Sequence, residues 1–412
     1  MMSLFQNRDY AHLFSAQVIA LLGTGLLTVA LGLLAYDLAG ANAGAVLGTA
    51  YAIKMLAYVG LSPIAGAIVE RLPRKPVLIA MDLIRASIAL CLPFVDAIWQ
   101  IYVLIFILQS ASATFTPTFQ AVLPDILPKE RDYTRALSLS RLAYDLENLL
   151  SPTLAGLLLL VISYNWLFLG TVLGFLLSSV LVARALFPHR TTISDRPFLQ
   201  RVTHGTRLYL ATPRLRGLLM LYVAVAATSA FVLVNTIIMV RTTYGLNEAA
   251  LALAMACFGA GSMAAALTLP RVLETMADRG IMIGAAIALS ILTATHGIWT
   301  LVAGPLPWIG FLVLWGLSGA LLATIQTPSG RLIRRSASDL DLTALFTAQF
   351  ALSHACWLFA YPVAGWSGAR FGPAYSMMLL GGVGLVAALL AGFVWPARAK
   401  KPRAKGSTDI AK

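Results

Sequence analysis

The sequence predicts an all-α membrane protein with twelve transmembrane helices, arranged as two six-helix bundles that are related by an internal repeat. Three observations support this fold class: an apolar composition, a regular succession of long apolar runs, and one polar interruption at the centre of the chain. Hydrophobic residues make up 59% of the 412 residues and charged residues only 11%, with a mean hydropathy of +0.82. Ordinary soluble domains carry roughly 25% charged residues. Most of this chain must therefore face lipid, or lie in a helix bundle inside lipid.

Twelve apolar runs each have the length that a membrane-spanning helix needs. A helix rises about 1.5 Å per residue, so about 20 residues cross roughly 30 Å of hydrocarbon. In chain order, the predicted spans cover residues 11–36, 44–69, 76–95, 98–120, 137–162, 165–187, 217–240, 249–270, 281–303, 306–327, 343–364 and 373–396.

The longest polar interruption leaves six predicted spans on each side. It defines a first bundle at 1–187, a cytoplasmic linker at 188–216, a second bundle at 217–397 and a basic cytoplasmic tail at 398–412. Short matches relate the two halves: "TPT" at 116–118 corresponds to "TPS" at 327–329, and "SPTLAG" at 151–156 corresponds to "YPVAG" at 361–365, at offsets of 211 and 210 residues. Nearly equal offsets in corresponding spans predict two homologous halves.

The positive charges predict the orientation of the chain. With the amino terminus inside, 25 of the 30 lysines and arginines fall on the cytoplasmic side, and only Arg241 and Arg370 fall in the opposite loops. This bias predicts that both termini are cytoplasmic. The net charge of +13 is therefore a topology signal and not a nucleic-acid-binding surface. The first residues lack a signal-peptide layout, and we expect a multi-pass protein of a bacterial-type inner membrane.

A loop between the second and third predicted spans carries a motif. Residues 66–75 read "GAIVERLPRK", with Gly66, Glu70, Arg71, Arg74 and Lys75 at fixed spacing. The pattern resembles the cytoplasmic loop motif of the major facilitator superfamily, with glutamate where aspartate is commoner. The resemblance covers nearly the whole chain. It implies two bundles that rock around a central site and a loop that latches the cytoplasmic face in one state.

Other segments resemble the efflux branch of that family. "DLIRA" at 82–86 and "LPR" at 269–271 are similar to macrolide, siderophore and nickel exporters, and "LSLSRLAYDLENLLSP" at 137–152 is most similar to nickel-resistance permeases. Some of those permeases have histidine-rich tails, whereas the tail of this chain has no histidine. Asp82 and Arg85 lie near the cytoplasmic end of the third span, where we expect them to brace the latch loop.

Polar stripes run along the spans of the first half. A charge at the bilayer centre costs roughly 2.5–3.5 kcal/mol on insertion scales, so such residues are expected to face water or one another. The candidates for a substrate and coupling cavity share one face of each helix: Tyr51, Lys54 and Tyr58 in the second span, Tyr144, Glu147 and Asn148 in the fifth, Gln17 in the first and Gln109 in the fourth. These faces are expected to surround a water-accessible cavity.

Two charge pairs are expected in the first half. Arg141 and Asp145 are one turn apart and can satisfy one another. Glu147 projects about 200° from Asp145 on a helix of 3.6 residues per turn, so it needs another partner. Lys54 is the midplane cation available to it, and we predict a direct or water-bridged Lys54–Glu147 pair. Such a carboxylate can take up a proton when the pair opens. The alternative is a static bridge that only orients two helices.

The sequence favours a secondary active transporter. It contains no GxxxxGK[ST] phosphate-binding loop, so direct ATP-driven pumping by this chain is not expected. The predicted function is proton-coupled efflux of a small molecule or metal ion by alternating access, and the main alternative is proton-coupled uptake by symport. Lipid, the substrate and protons are the expected partners, and the family resemblance implies a monomer.

No cofactor and no local metal site are predicted. His354 and Cys356 are two residues apart on a helix and point in different directions, so they cannot chelate one metal ion locally. A remote alternative is a membrane-embedded serine hydrolase, in which His354 would activate Ser318 in "GLSG". Small residues at that spacing more often allow close helix packing, and the chain is therefore not expected to be an enzyme.

Overall fold

The computed structural model describes residues 2–61, 72–129, 154–187, 198–336 and 342–396, with single positions at 132, 136, 139, 140, 143, 147 and 151. The described residues form helices and turns and contain no strand. In chain order the helices are α1 (Met2–Phe5), α2 (Arg8–Ala39), α3 (Ala43–Leu56), α4 (Arg74–Cys91), α5 (Ile98–Ile126), α6 (Asn165–Arg184), α7 (Phe198–Ala211), α8 (Pro213–Ile238), α9 (Glu248–Thr275), α10 (Asp278–Ala303), α11 (Trp308–Gln326), α12 (Ser329–Arg334), α13 (Leu342–Phe371) and α14 (Pro373–Val394). Two π-helical turns, Ala57–Leu61 and Met239–Thr243, extend α3 and α8.

The helices are long and apolar, as the sequence predicts. Within the described ranges, nine helical segments have the length and composition to cross a membrane, and the first of them, Arg8–Leu61, contains both α2 and α3. Of the predicted fifth span, 137–162, the structure describes 154–162 and the five single positions 139, 140, 143, 147 and 151. The all-helical membrane fold is therefore confirmed, while the count of twelve spans and the repeat of two bundles stay predictions.

Capping asparagines and first-turn prolines mark the starts of several helices. Asn7 precedes α2 and Asn247 precedes α9, and each side-chain oxygen accepts hydrogen bonds of 3.0–3.2 Å from N–H groups of the first turn. Those N–H groups have no partner inside the helix, so a capping side chain stabilises the helix start. Pro213 and Pro373 occupy the first positions of α8 and α14, where a missing N–H removes no helical hydrogen bond.

The turns distinguish the two ends of the bundle. Gly40, Gly245, Gly304 and Gly372 have φ angles of 54°, 64°, 82° and 88°, a region that favours glycine. All four follow helices that run in the same direction as α2, so they mark one end, which we name the Gly40 end. The opposite end, where α4 begins, is named the Arg74 end.

Helix pairs build two halves that meet along one main seam. In the first half, α2 and α4 both pack on α6, and α4 also packs on α5; in the second half, α9 packs on α11, and α14 packs on α8 and α10. Among the helices that the structure describes, the seam between the halves is formed mainly by α3 and α13. Outward-facing side chains are apolar, and Phe393 and Val302 are 85% and 83% exposed. A surface of this kind is suited to lipid contact.

The predicted linker at 188–216 contains the helix α7 and the start of α8. Tyr209 of α7 is fully buried, and its hydroxyl donates a hydrogen bond to the Gln349 side chain of α13. The linker helix is therefore fixed to the second half. The tail predicted at 398–412 lies outside the described residues.

The Arg74 end carries ion pairs in both halves. Arg74 pairs with Asp125 at the end of α5, and Lys75 Nζ donates to the Ala185 carbonyl at 2.9 Å. In the second half, the buried Asp278 forms ion pairs with Arg331 and with Arg335. The distance between Asp278 and Arg335 is 3.0 Å. Gly66, Glu70 and Arg71, the other members of the predicted latch motif, lie outside the described residues.

Candidate functional site: a cavity between the two halves

A cavity of about 250 Å³ lies between the two halves. Its walls come from α2, α3, α4 and α5 of the first half and from α8, α9, α11 and α13 of the second. Gln326, the last residue of α11, is part of the lining, so the cavity extends toward the Arg74 end.

The structure brings together five of the eight residues predicted to form the cavity. Gln17, Tyr51, Lys54, Tyr58 and Glu147 all lie in its lining. Gln109 is buried in α5 but is not part of the lining. Four further predicted residues lie outside the described residues: Tyr144, Asn148, Arg141 and Asp145.

Lys54 and Glu147 carry opposite charges, and both line the cavity. Each of the two groups interacts electrostatically with the other. Among the ion pairs shorter than 4.0 Å in the described part of the chain, Lys54–Glu147 does not occur. The charged atoms of Lys54 and Glu147 are therefore more than 4.0 Å apart.

Hydrogen bonds hold the polar side chains around this pair. The Tyr51 hydroxyl donates to the Thr28 carbonyl at 3.3 Å, and the Ser140 hydroxyl donates to the Gln17 side-chain oxygen at 2.9 Å. Both contacts join different helices of the first half. They fix the polar faces that the sequence places on one side of each helix.

Arg85 is a second cation in the cavity wall. It is 5% exposed and forms an ion pair with Asp82, whose other carboxylate oxygen accepts a 2.7 Å hydrogen bond from the Ser178 hydroxyl. Its guanidinium lies 4.3 Å from the centre of the Phe115 ring and 4.4 Å from that of Phe175. Asp82 thus balances the charge of Arg85 inside the first half. The sequence interpretation assigned both residues to the latch, whose loop lies outside the described residues.

We expect the replacement of Arg85 by lysine to destabilise the folded protein although the positive charge is kept. A planar guanidinium can stack on two rings while it pairs with a carboxylate, and a compact ammonium cannot. Each cation–π contact of a desolvated group contributes roughly 0.5–2 kcal/mol. Thermal unfolding of purified protein in detergent should show a lower Tm for Arg85→Lys. The matched control is Arg216→Lys at an exposed position of α8. An unchanged Tm for Arg85→Lys would contradict the stacking argument.

The second half supplies an aromatic wall that the sequence interpretation missed. Phe350, His354, Trp357 and Tyr361 of α13 all line the cavity. Tyr58 of the first half lies against this wall, with its ring centre 5.3 Å from that of His354, and the Trp357 indole N–H donates to the Ser229 hydroxyl at 2.9 Å. The spacing of 4, 3 and 4 residues places the four rings on one helical face. This aromatic stripe in the sequence was the signal from which the wall could have been predicted.

Close backbone contacts seal the cavity at the Gly40 end. A Cβ atom on Gly48 would lie 2.6 Å from the Tyr361 carbonyl oxygen and 3.0 Å from the Gly365 Cα. The Trp366 indole N–H donates to the Thr49 hydroxyl across the same seam at 3.2 Å. Only glycine lets α3 and α13 approach so closely. The described halves are therefore closed against one another at this end.

The residues of the remote hydrolase hypothesis are not joined. The Ser318 hydroxyl donates to the Leu314 carbonyl at 2.8 Å, and the His354 Nδ1 lies 2.7 Å from the Phe350 carbonyl oxygen. Ser318 is not part of the cavity lining, whereas His354 is. Among the residues that the structure describes, no three His, Cys, Asp or Glu side chains form a group that could hold a metal ion.

Comparison with known proteins decides the family. The sequence profile of the Major Facilitator Superfamily matches residues 13–301, which is more than half of the chain. The chain belongs to the major facilitator superfamily. It is therefore a transporter of the multi-pass membrane type and not an enzyme, as the sequence predicts.

Curated relatives of this major facilitator include export proteins. Macrolide efflux protein A of Streptococcus pyogenes is 27% identical over 201 residues, which cover 47% of this chain and 49% of the relative. Macrolide efflux protein A of Enterococcus faecalis is 28% identical over 161 residues, which cover 37% of this chain and 50% of the relative. The chain spans about half the length of these relatives.

Solved structures share the fold of this major facilitator over nearly its full length. An auto-inhibited POT family peptide transporter has a TM-score of 0.70 at 13% identity and covers 97% of this chain and 99% of its own. The nucleoside transporter NupG has a TM-score of 0.67 at 13% identity, over 94% of this chain and 100% of its own in the D323A mutant. At these identities the likeness shows the fold alone.

Proposed function

We propose that the protein is a proton-coupled exporter of a small amphipathic molecule, and that it works by alternating access as a monomer. The observation that carries the proposal is the placement of Lys54 and Glu147 as opposite charges in a cavity shared by both halves. A carboxylate in such a cavity can be neutralised by the lysine, by a proton or by a cationic group of a substrate. Competition among these partners links proton movement to substrate movement.

Three findings support the finer features of this proposal. The aromatic wall on α13 suits the apolar part of an organic substrate, and the polar groups on α2 and α3 suit its polar part. The macrolide efflux proteins among the relatives favour export. The distribution of lysine and arginine favours an inner-membrane protein with cytoplasmic termini, in which the Gly40 end faces outward.

The proposal is tested first by resistance and then by flux. Cells that lack and then express the gene are exposed to a panel of antibiotics, siderophores and metals that includes a macrolide and nickel. Each hit is then measured in inverted membrane vesicles under an imposed pH gradient. We expect uptake into inverted vesicles that are acidic inside, and its loss when the gradient is collapsed.

The same vesicles separate export from the alternative of uptake by symport. Antiport moves substrate against the proton flow, so acidic inverted vesicles accumulate it, whereas symport under that gradient depletes it. No gradient-dependent movement of any hit would contradict proton coupling, and depletion would contradict export.

A further inference from the structure

The linker helix α7 meets the long helix α8 at the Arg74 end, at the level of the membrane surface. The Thr212 N–H donates to the Tyr209 carbonyl at 3.2 Å, and the Thr212 carbonyl accepts from the Arg216 N–H at 3.0 Å, so the junction is a tight turn. The segment that starts there, Pro213–Thr243, has 31 residues and the composition to cross a membrane. At 1.5 Å per residue it is roughly 46 Å long, which matches a bilayer with its headgroups. The junction therefore lies among lipid headgroups.

One side of α7 is fixed to the protein, so the other side is available to a partner. Tyr209 is fully buried, and its hydroxyl donates a hydrogen bond to the Gln349 side chain of α13. Leu215, in the first turn of α8, is fully buried as well. Arg207 and Leu210 are exposed on the outward side of α7, and they are one helical turn apart. A positive charge and an apolar side chain are thus presented together.

The positive charge on this side of the junction is not balanced by acidic residues nearby in the chain. Arg207 and Arg216 are exposed and Arg214 is half-buried. None of these three arginines belongs to an ion pair shorter than 4.0 Å within the part of the chain that the structure describes. The sequence has no aspartate or glutamate between residues 196 and 247. The charge of the three arginines is therefore available to a negative group from outside the protein.

We propose that Arg207, Leu210, Arg214 and Arg216 form a binding site for anionic lipid, which we name the α7 surface. The arginines suit a negatively charged headgroup, and Leu210 suits the apolar boundary just below it, which a soluble anion does not offer. A lipid held here stabilises α7 against α13 through the contact of Tyr209. The site goes beyond the proposed function, because it depends on neither the substrate, the proton nor the direction of transport.

The test measures lipid binding to the purified full-length protein by native mass spectrometry. Phosphatidylglycerol and phosphatidylcholine are titrated separately at low ionic strength, and the dissociation constant of the tightest site is determined for each lipid. A basic residue near the surface is expected to change the affinity for an anionic headgroup by about fivefold, which corresponds to about 1 kcal/mol. We therefore expect phosphatidylglycerol to bind at least about fivefold more tightly than phosphatidylcholine.

Variants of exposed arginines locate the site. Arg207→Gln should weaken the binding of phosphatidylglycerol by about fivefold, and the double variant with Arg216→Gln by about 25-fold, while phosphatidylcholine binds as before. Arg207→Lys with Arg216→Lys keeps the charge and should keep the affinity within about twofold. The matched control is Arg271→Gln, because Arg271 is exposed at the same end of the protein but has Glu274 one turn away. It should bind both lipids as the unmodified protein does.

The outcomes decide the proposal. Loss of affinity for phosphatidylglycerol in the glutamine variants, with normal binding by Arg271→Gln, supports the α7 surface. Equal affinities for the two lipids overturn it, and so does full affinity in the double glutamine variant or an equal loss in Arg271→Gln.

Two further measurements keep these outcomes unambiguous. Displacement of phosphatidylglycerol by inorganic phosphate at equal concentration would reveal a site for a free anion and would overturn the lipid assignment. The Tm of each variant without lipid shows that it is folded, and the single variant Arg216→Gln takes the place of the double variant if the latter has a lower Tm. Because no transport is measured, failure of the proposed export function leaves the result unaffected.

Discussion

Replacement of Glu147 by glutamine is expected to abolish the response of transport to a pH gradient while substrate exchange continues. Glutamine keeps the size and polarity of the side chain but cannot exchange a proton or oppose the charge of Lys54. If Glu147 carries the coupling proton, gradient-driven flux should fall to the level seen without a gradient. Exchange of labelled for unlabelled substrate at equal concentrations needs no proton, so it should persist.

This pair of measurements separates coupling from the static-bridge alternative. A bridge that only orients two helices would lower gradient-driven flux and exchange together, in step with a lower Tm. In such a bridge, the removal of one member would leave the other charge uncompensated, at a cost of roughly 3–5 kcal/mol. The double variant Lys54→Gln with Glu147→Gln restores the charge balance and should regain stability without regaining coupling.

The matched control for Glu147→Gln is Glu274→Gln, which removes a carboxylate from an exposed position outside the cavity. It should transport as the unmodified protein does. Full gradient-driven transport by Glu147→Gln would remove Glu147 from the mechanism and leave only the family assignment.

Replacement of Gly48 by valine is expected to prevent closure of the Gly40 end and to stop the transport cycle. The new Cβ would meet the backbone oxygen of Tyr361 at 2.6 Å, and a backbone atom cannot move aside as a flexible side chain can. Overpacking of this kind costs roughly 1–3 kcal/mol. Since every 1.4 kcal/mol is about tenfold in an equilibrium, closure and transport should fall by about ten- to a hundredfold.

The control for this prediction is Gly382→Val in α14. A Cβ at Gly382 meets nothing within 4 Å, so valine there tests the general effect of a branched residue at a helical glycine. Transport and the amount of protein in the membrane are measured for both variants. The distance between spin labels at Ala41 and Phe371, which are exposed at the Gly40 end on either side of the seam, reports closure. Normal transport by a membrane-inserted Gly48→Val protein would show that the seam at this end does not have to close so tightly.

Much of the cavity could be predicted because membrane chemistry restricts polar residues strongly. Lys54 and Glu147 lie in apolar runs, where lipid does not tolerate a charge, so each had to face a partner or water. The stripe of Tyr51, Lys54 and Tyr58 then fixed which face of α3 turns inward. Gln109 is buried as well but is not part of the cavity lining, because a polar stripe predicts the interior and not a particular surface within it.

The aromatic wall on α13 was missed for a complementary reason. Aromatic residues are as acceptable toward lipid as toward a cavity, so their position on one face carries little information without the position of the neighbouring helix. Arg85 is a related case, since its depth along α4 predicts a position near the latch, whose loop lies outside the described residues, while its direction places it in the cavity wall. Direction toward a neighbour is a property of packing.

The sequence by itself determined that this chain is a helical membrane transporter, because composition, run length and the distribution of positive charges act locally along the chain. It also predicted that Lys54 and Glu147, opposite charges from two spans, lie in one cavity inside the protein. Only the tertiary structure decided that both halves share one cavity, that α13 completes its wall and that glycines seal the Gly40 end. Those features depend on distances between helices that are far apart in sequence, and such distances are set when the two halves pack together.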